Sequence, residues 1–297
     1  MRALWLTDIF DPALRSSPRS ASLPGQALRL LGWNKSDATT ITYLAHQGEQ
    51  NLFLAYDIPK DQRFSIYPEK LLKKHASKLD TRSLKVKLQV ITEGSTSMSA
   101  GAERVIGFAK KDGADLIALQ THSHKGFKRL VLGSFAETMM LLSPISLLIL
   151  NPDSKVGKKA KRILYATDIE KSADAGVKKA AQFAKKAGAT LRLLHMVLPA
   201  YSATIEGQDA DVVKYRKQVD DRIQELVAVA EAEGASCEAV IRDELISNTD
   251  LILKEAKASK AEILAVQSKA GLLRRMLLGS VARHVVRAAK IPVLVIR

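Results

Sequence analysis

One motif occurs twice in the chain and limits its fold more than any other feature. The stretches LGSFAETMMLLSPISLLIL (132–150) and LGSVARHVVRAAKIPVLVI (278–296) each run from Leu-Gly-Ser through a helix-like segment and a proline to an apolar strand. With 297 residues, the chain is long for one domain and comfortable for two of about 150 residues. The repeat therefore predicts a duplicated domain.

The second copy shows the pattern of each domain most clearly. The β-branched and aromatic run RILYATDI (162–169) predicts a strand that ends near Asp168. A helical pattern from Ser172 to Gly188 follows, and strands and helices then alternate up to position 297. We predict five strands and four helices per copy, an alternation typical of crossover units around a parallel sheet.

The first copy has the same order of elements, and its first strand ends at Asp8. Gly133 and Gly279 lie 146 positions apart, whereas Asp8 and Asp168 lie 160 apart. The first copy therefore holds 14 additional residues, and the Pro/Ser-rich stretch 11–25 accounts for most of them. We predict a first domain at 1–152, a basic linker at 153–159 and a second domain at 160–297.

The net charge of +15 raises the question of nucleic-acid binding. Residues 1–151 hold 20 basic and 13 acidic side chains, and residues 152–297 hold 26 and 18, so the excess is spread over both halves. This spread and an aromatic content of 5% argue against a nucleic-acid partner. Retention on heparin that collapses steeply with salt would favour one.

Other features narrow the class of protein. The single cysteine, Cys237, excludes an internal disulfide and a multi-cysteine metal site. No apolar run suits a secretory signal or a membrane span, so we expect a cytoplasmic protein without a membrane partner.

His122 and His124 lack a third ligand in the sequence, which predicts no metal site. With no Walker loop, Gly-x-Gly-x-x-Gly or nucleophile elbow, we predict no catalytic residues.

The Gly-Ser pair opens a helix and allows two interpretations. Ser134, with Glu137 three residues later, fits a capping box, and Ser280 fits a simple N-cap. Free N–H groups at a helix start, together with a hydroxyl, also form a phosphate site. Ligands of open parallel sheets bind beyond the carboxyl ends of the strands. If strands 1 and 4 of each half are neighbours, Asp8 and Asp168 face the same crevice as the Gly-Ser pair.

These segments resemble the universal stress protein family. The stretch MLLGSVARHVVRAAKIPVLVI nearly spells the family's most specific motif, and GADLIALQTHSHKGFKRLVLGSFAETMM carries the first copy of it. Two such domains cover nearly the whole chain. The resemblance implies an α/β fold with two Rossmann-like domains, each a five-stranded parallel sheet of order 3-2-1-4-5 with helices on both faces. It also implies that the two repeats pack as a pseudo-dimer, in imitation of a homodimer.

The resemblance further implies a stress-response protein that binds ATP, with magnesium, and hydrolyses it at most slowly. Many family members bind ATP through Gly-x-x-Gly, nine residues and Gly-Ser or Gly-Thr. In this chain Gln120 and Gln267 take the place of the first glycine. The nucleotide-binding residues that the resemblance implies are Asp168, Val197, Gln267, Lys269, Gly279 and Ser280 in the second half, and Asp8, Gly133 and Ser134 in the first.

The two glutamines leave two outcomes open. Gln267 and Lys269 can themselves donate to a phosphate, which would make a modified adenine-nucleotide site, and the second half is the better candidate. Alternatively the glutamines fill the crevice, because only glycine lets a phosphate approach the backbone without a side chain in the way. The protein would then be a nucleotide-free scaffold that acts through protein partners or through a second copy of itself.

Overall fold

The computed structural model describes residues 1–7, 22–46, 68–94, 97–121, 134–197, 210–268 and 280–297. Within these ranges each half has five strands and four helices in alternation, as predicted. The strands are β1 (Arg2–Leu6), β2 (Ala38–His46), β3 (Lys85–Glu93), β4 (Leu116–Gln120), β5 (Ser146–Leu150), β6 (Arg162–Ala166), β7 (Thr190–Met196), β8 (Cys237–Arg242), β9 (Ile263–Gln267) and β10 (Val293–Ile296). The helices are α1 (Leu23–Leu30), α2 (Pro68–Ala76), α3 (Met98–Lys111), α4 (Ser134–Leu142), α5 (Ala173–Ala187), α6 (Ala210–Ala232), α7 (Asn248–Ala258) and α8 (Ser280–Ala288).

The ten strands form one sheet in the order β3-β2-β1-β4-β5-β10-β9-β6-β7-β8. Neighbouring strands are parallel within each half, and β5 pairs with β10 in antiparallel register. Each half therefore has the strand order 3-2-1-4-5 that the resemblance implies. The inner strands are apolar on both faces because helices cover both sides of the sheet. Accordingly β5 is buried at every residue, whereas the edge strand β8 is half-buried along its length.

Two apolar cores lie on opposite faces of the sheet, and each core runs through both halves. The first contains Trp33 and Phe183 and lies under α1, α2, α5 and α6. The second contains Met140 and Val286 and lies under α3, α4, α7 and α8. Burial of apolar side chains is therefore continuous across the β5–β10 junction on both faces, so the halves share their cores instead of each enclosing its own.

The chain between β5 and β6 runs along this junction. The Lys155 N–H donates to the Lys290 carbonyl at 2.8 Å, and Ala160 is buried in the first core. The side chains of Lys155, Lys158 and Lys159 are exposed, as expected for a solvated basic segment. The domain boundaries at 152 and 160 fall within this connection and stay a prediction.

A buried ion pair joins the halves on the face of the first core. Both carboxylate oxygens of Asp37, whose side chain is 4% exposed, lie 2.7 Å from Lys186 Nζ on α5. The same ammonium lies 4.7 Å from the centre of the Trp33 ring, which stacks on Phe183 at 6.3 Å. The pair therefore ties the end of α5 to the turn that precedes β2.

The partners of Asp37 set its protonation. Burial raises the pKa of the carboxyl, but hydrogen bonds from Lys186, the Met1 amino group and the Asn34 N–H outweigh burial, and the pKa lies below its ordinary value of 3.8. Because the pKa is lower in the folded state, the stability that the pair contributes is present above pH 3.8. It is lost as the pH falls through the lowered pKa.

We expect Asp37→Asn to lower the free energy of unfolding by about 2 kcal/mol at neutral pH, because the half-buried Lys186 loses its carboxylate partner. The difference from the unchanged chain should shrink as the pH falls below 3.8, where Asp37 itself becomes neutral. Chemical denaturation at neutral and at acid pH measures both values. Asp153→Asn, in the exposed connection, is the control and should stay within about 0.5 kcal/mol. A loss that does not depend on pH would contradict the role given to the pair.

Candidate functional site

The carboxyl ends of β6 and β9 lie side by side in the second half. Ala166 at the end of β6 pairs with Val266 in parallel register. Asp168, two residues beyond β6, therefore comes to the edge of the sheet at which Gln267 ends β9. The helix α8 begins at Ser280, after the connection that leaves β9. Strands 1 and 4 are thus neighbours, which is the condition on which the crevice was predicted.

Asp168 sits in a turn that is held from two sides. Its side chain is exposed, and its Oδ1 accepts the Glu170 N–H at 3.2 Å. From α6, Arg222 donates to the Ile169 carbonyl at 3.2 Å and to the Asp174 carboxylate at 2.5 Å. The turn after β6 is therefore fixed in place, while the Asp168 carboxylate stays accessible to solvent.

Gln267 spans the gap between β9 and α5. Its Oε1 accepts the Tyr165 hydroxyl at 3.2 Å, and its Nε2 donates to the Ser172 carbonyl at 3.4 Å. Ser172 is the N-cap residue of α5, and Tyr165 lies on β6. The side chain of Gln267 therefore reaches from strand 4 to the helix that follows strand 1.

Gly176, on the first turn of α5, makes this arrangement sterically feasible. A Cβ atom at this position would lie 2.3 Å from the Tyr165 hydroxyl oxygen and 2.7 Å from Gln267 Oε1. Contacts this short do not occur between real atoms, so any larger residue would push the tyrosine or the glutamine away. The glycine thus lets α5 pack directly onto the hydrogen-bonded pair.

Two titratable side chains at this edge were not selected in the sequence analysis. Burial raises the pKa of the Tyr165 hydroxyl far above its ordinary value, and the charge of Asp168 adds to the shift. Burial lowers the pKa of His195, although the Thr167 carbonyl and Asp168 oppose the change. A neutral imidazole can donate through Nδ1 to the Thr167 carbonyl, 3.1 Å away. Tyr165 and His195 are therefore both neutral at neutral pH.

Val197, predicted to offer backbone groups to an adenine, directly follows β7. Its N–H donates to the Arg242 carbonyl at 2.9 Å, so that donor is already used between β7 and β8. Its side chain is half-buried and packs against the first core. The N–H of Val197 would have to leave the sheet before it could bind a ligand.

The first half repeats the packing with different side chains. Gln120 ends β4 as Gln267 ends β9, so the two glutamines occupy the same position. Trp5 takes the place of Tyr165, and Gly25 that of Gly176, since a Cβ at Gly25 would lie 2.7 Å from the indole ring. In both halves an aromatic residue on strand 1 thus requires a glycine in the first helix.

The other site residues predicted from the sequence divide into two groups. Four of them lie outside the described residues: Asp8, Gly133, Lys269 and Gly279. Ser134 and Ser280 are the first residues of α4 and α8, as the Gly-Ser motif predicts. Glu137, which the sequence suits to a capping box, forms an ion pair with Arg287 of α8. This pair adds a contact between the halves on the face of the second core.

Two features are absent from the described ranges. No group of three or more His, Cys, Asp or Glu side chains in those ranges is arranged to hold a metal ion. No helix in the same ranges has both the length and the apolar character needed to cross a lipid bilayer.

Comparison with known proteins relates the fold to one family. The model of the universal stress protein family matches residues 17–151 and again residues 159–297. A universal stress protein from Archaeoglobus fulgidus DSM 4304 is similar over 99% of this chain and 97% of its own, with 20% identity and a TM-score of 0.67. A protein of unknown function from Pseudomonas aeruginosa PAO1 is similar over 99% and 91%, with 14% identity and a TM-score of 0.53. Comparison with curated proteins gives no match.

We expect Gly176→Ala to destabilise the protein by about 2 kcal/mol, because the new methyl group overlaps the Tyr165 hydroxyl. The double variant Gly176→Ala/Tyr165→Phe removes that oxygen and should recover most of the loss. Thermal and chemical denaturation measure both effects.

Gly107 on α3 supplies the matched control, since a Cβ there would meet no atom within 4 Å. Gly107→Ala should stabilise the protein by about 0.5–1 kcal/mol through helix propensity alone. If Gly176→Ala behaved like Gly107→Ala, the close packing of Tyr165 and Gln267 under α5 would be wrong.

Proposed function

The chain belongs to the universal stress protein family, and on that basis we propose that it is a stress-response protein that binds an adenine nucleotide at the carboxyl edge of its second half. Binding, without catalysis, is the proposed activity, and ATP with magnesium is the proposed ligand. The observation that carries the proposal is the accessible Asp168 carboxylate beside the end of β9, in the half of the chain where α8 begins with Ser280.

The chemistry of this edge suits the two ends of a nucleotide. A carboxylate such as that of Asp168 accepts hydrogen bonds from ribose hydroxyls or from a base amino group. The first N–H groups of α8, the Ser280 hydroxyl and the Gly279 backbone would bind the phosphates, because a helix N-terminus favours anions. Lys269, in the connection between β9 and α8, would add a positive charge. Asp8, Gly133 and Ser134 would form the counterpart in the first half.

Gln267 has a double role in this proposal. Its hydrogen bonds to Tyr165 and Ser172, at 3.2 and 3.4 Å, are longer than the usual ~2.5–3.0 Å of O–H···O and ~2.7–3.2 Å of N–H···O bonds, and a ligand could replace them. The amide released from these bonds would then donate to a phosphate. Binding therefore requires the glutamine to turn out of the gap between β9 and α5.

The bridge formed by Gln267 also favours a second candidate function. With both ends of its amide bonded, the side chain occupies the space that a family glycine would leave open. The protein would then act as a nucleotide-free scaffold for protein partners, with its two halves taking the place of the two subunits of a homodimer. The shared cores and the β5–β10 pairing support this use of the fold.

Isothermal titration of the protein with Mg-ATP tests the first proposal. We expect saturable binding that Asp168→Ala weakens by about tenfold and Ser280→Ala by about fivefold, each through the loss of hydrogen bonds to the ligand. Asp153→Ala, in the exposed connection, is the control and should leave the affinity unchanged.

The variant Gln267→Gly separates the two candidates, because it restores the family residue and opens the gap. If titration with Mg-ATP gave a binding heat with Gln267→Gly but none with the unchanged chain, the glutamine would close the site. That result favours the scaffold. If neither protein bound Mg-ATP at millimolar concentration, the nucleotide proposal would fall. Binding by the unchanged chain that is lost in Gln267→Gly would make the glutamine itself a ligand contact.

A further inference from the structure

Each half ends its last strand with a side chain that reaches into the other half. Asn151 follows β5, and its Nδ2 donates to the carbonyls of Val286 and Ala289, at 2.9 and 2.8 Å, where α8 ends. Arg297 follows β10, and its guanidinium donates to the Met140 carbonyl near the end of α4. Positions 151 and 297 are 146 apart, as are 140 and 286, so the two contacts are equivalent in the repeat.

The same two side chains also bind the residue directly after strand 4 of their own half. The Thr121 hydroxyl donates to Asn151 Oδ1 at 2.9 Å. Arg297 Nη1 donates to the carbonyl and to the hydroxyl of Ser268, at 2.7 and 3.0 Å. Thr121 and Ser268 each follow the glutamine that ends strand 4. Each chain of contacts therefore starts beside a candidate site and finishes on a helix of the opposite half.

Because these polar groups are removed from water, they depend on their hydrogen-bond partners. Thr121 and Asn151 are 3% and 4% exposed, so a lost partner would leave a buried polar group unsatisfied. Burial lowers the pKa of Arg297 to about 10, and the guanidinium is still charged at neutral pH. Arg297 is half-buried, and the groups that its guanidinium contacts among the described residues are neutral oxygens, so hydrogen bonds must stabilise its charge. The position of Arg297 is therefore set by Ser268 and Met140 together.

We infer that Asn151 and Arg297 are positioning residues. Each of them connects the residue directly after strand 4 of its own half, Thr121 or Ser268, to the last helix of the other half. Each candidate site is then shaped in part by the half that does not contain it. The inference deepens the proposed nucleotide site and rests on it for the ligand measurement only. The contacts themselves can be tested without a ligand.

Amide hydrogen exchange of the full chain, followed by NMR without ligand, is the first test. Two amides report on Arg297: the Ser268 N–H, bonded to the Ile296 carbonyl, and the Ser143 N–H, bonded to the Met139 carbonyl at the end of α4. In Arg297→Ala both should exchange about tenfold faster, although they lie in different halves. The exchange rate of the Thr167 N–H, directly after β6, should change by less than about twofold.

A double-variant cycle distinguishes positioning from general stabilisation. Ser268→Ala should speed exchange of the Ser143 amide, in the other half, by about threefold, and should have no such effect in the Arg297→Ala background. Arg297→Lys keeps a donor at this position and should recover part of the protection. Arg287→Ala breaks the Glu137–Arg287 ion pair of the junction and should leave exchange of the Ser268 amide unchanged.

Asn151→Ala is the matching experiment in the first half. The Thr121 N–H, bonded to the Leu150 carbonyl, and the Ala289 N–H, bonded to the Val285 carbonyl, should both exchange about tenfold faster. Equal acceleration of all amides, or acceleration confined to the half that carries the substitution, would overturn the inference.

Titration of Arg297→Ala with Mg-ATP separates this inference from the proposed function. If the unchanged chain binds, Arg297→Ala should weaken binding by about fivefold, and unchanged affinity would overturn the link to the site. If the unchanged chain does not bind, the nucleotide proposal fails, while the exchange data still decide whether Arg297 and Asn151 hold the two halves together at strand 4.

Discussion

The antiparallel pairing of β5 with β10 is the contact on which the rest of the structure depends. Separate five-stranded sheets would each expose a strand buried on both faces, with unpaired N–H and carbonyl groups along its edge. Once paired, these strands become the centre of a ten-stranded sheet, and both apolar cores extend across it. The elements that flank the junction then meet, which brings Glu137 to Arg287 on one face and Asp37, in the turn before β2, to Lys186 on the other.

The same packing that builds the second half also shapes its candidate site. A tyrosine at position 165 needs a glycine above it on α5 and a partner for its buried hydroxyl, and Gln267 provides that partner. The glutamine thus has a structural reason to stand where many family members have glycine. In the proposed nucleotide site, core packing and ligand access would compete for the same space at the ends of β6 and β9. Under the proposed function, nucleotide binding requires that glutamine to move.

Much of the fold was predictable because its signals are local. Apolar periodicity and turn residues predicted five strands and four helices per half, and the rule for open parallel sheets brought Asp168 and Gln267 to one edge. The hydrogen bond from Tyr165 to Gln267 was not predictable, because the two residues are 102 positions apart and no sequence pattern links them. The same is true of Arg222, which holds the turn beside Asp168 from α6.

By itself, the sequence determined that two copies of one α/β unit exist, what each contains, and which strand ends carry polar residues. These properties follow from patterns that repeat within a few residues of each position. The tertiary structure alone decided how the copies join and what Gln267, Asn151 and Arg297 contact. The partners of Gln267 lie 95 and 102 positions away within its own half. Asn151 and Arg297 contact residues up to 157 positions away, on helices that the β5–β10 pairing places next to them, so no local pattern could specify these contacts.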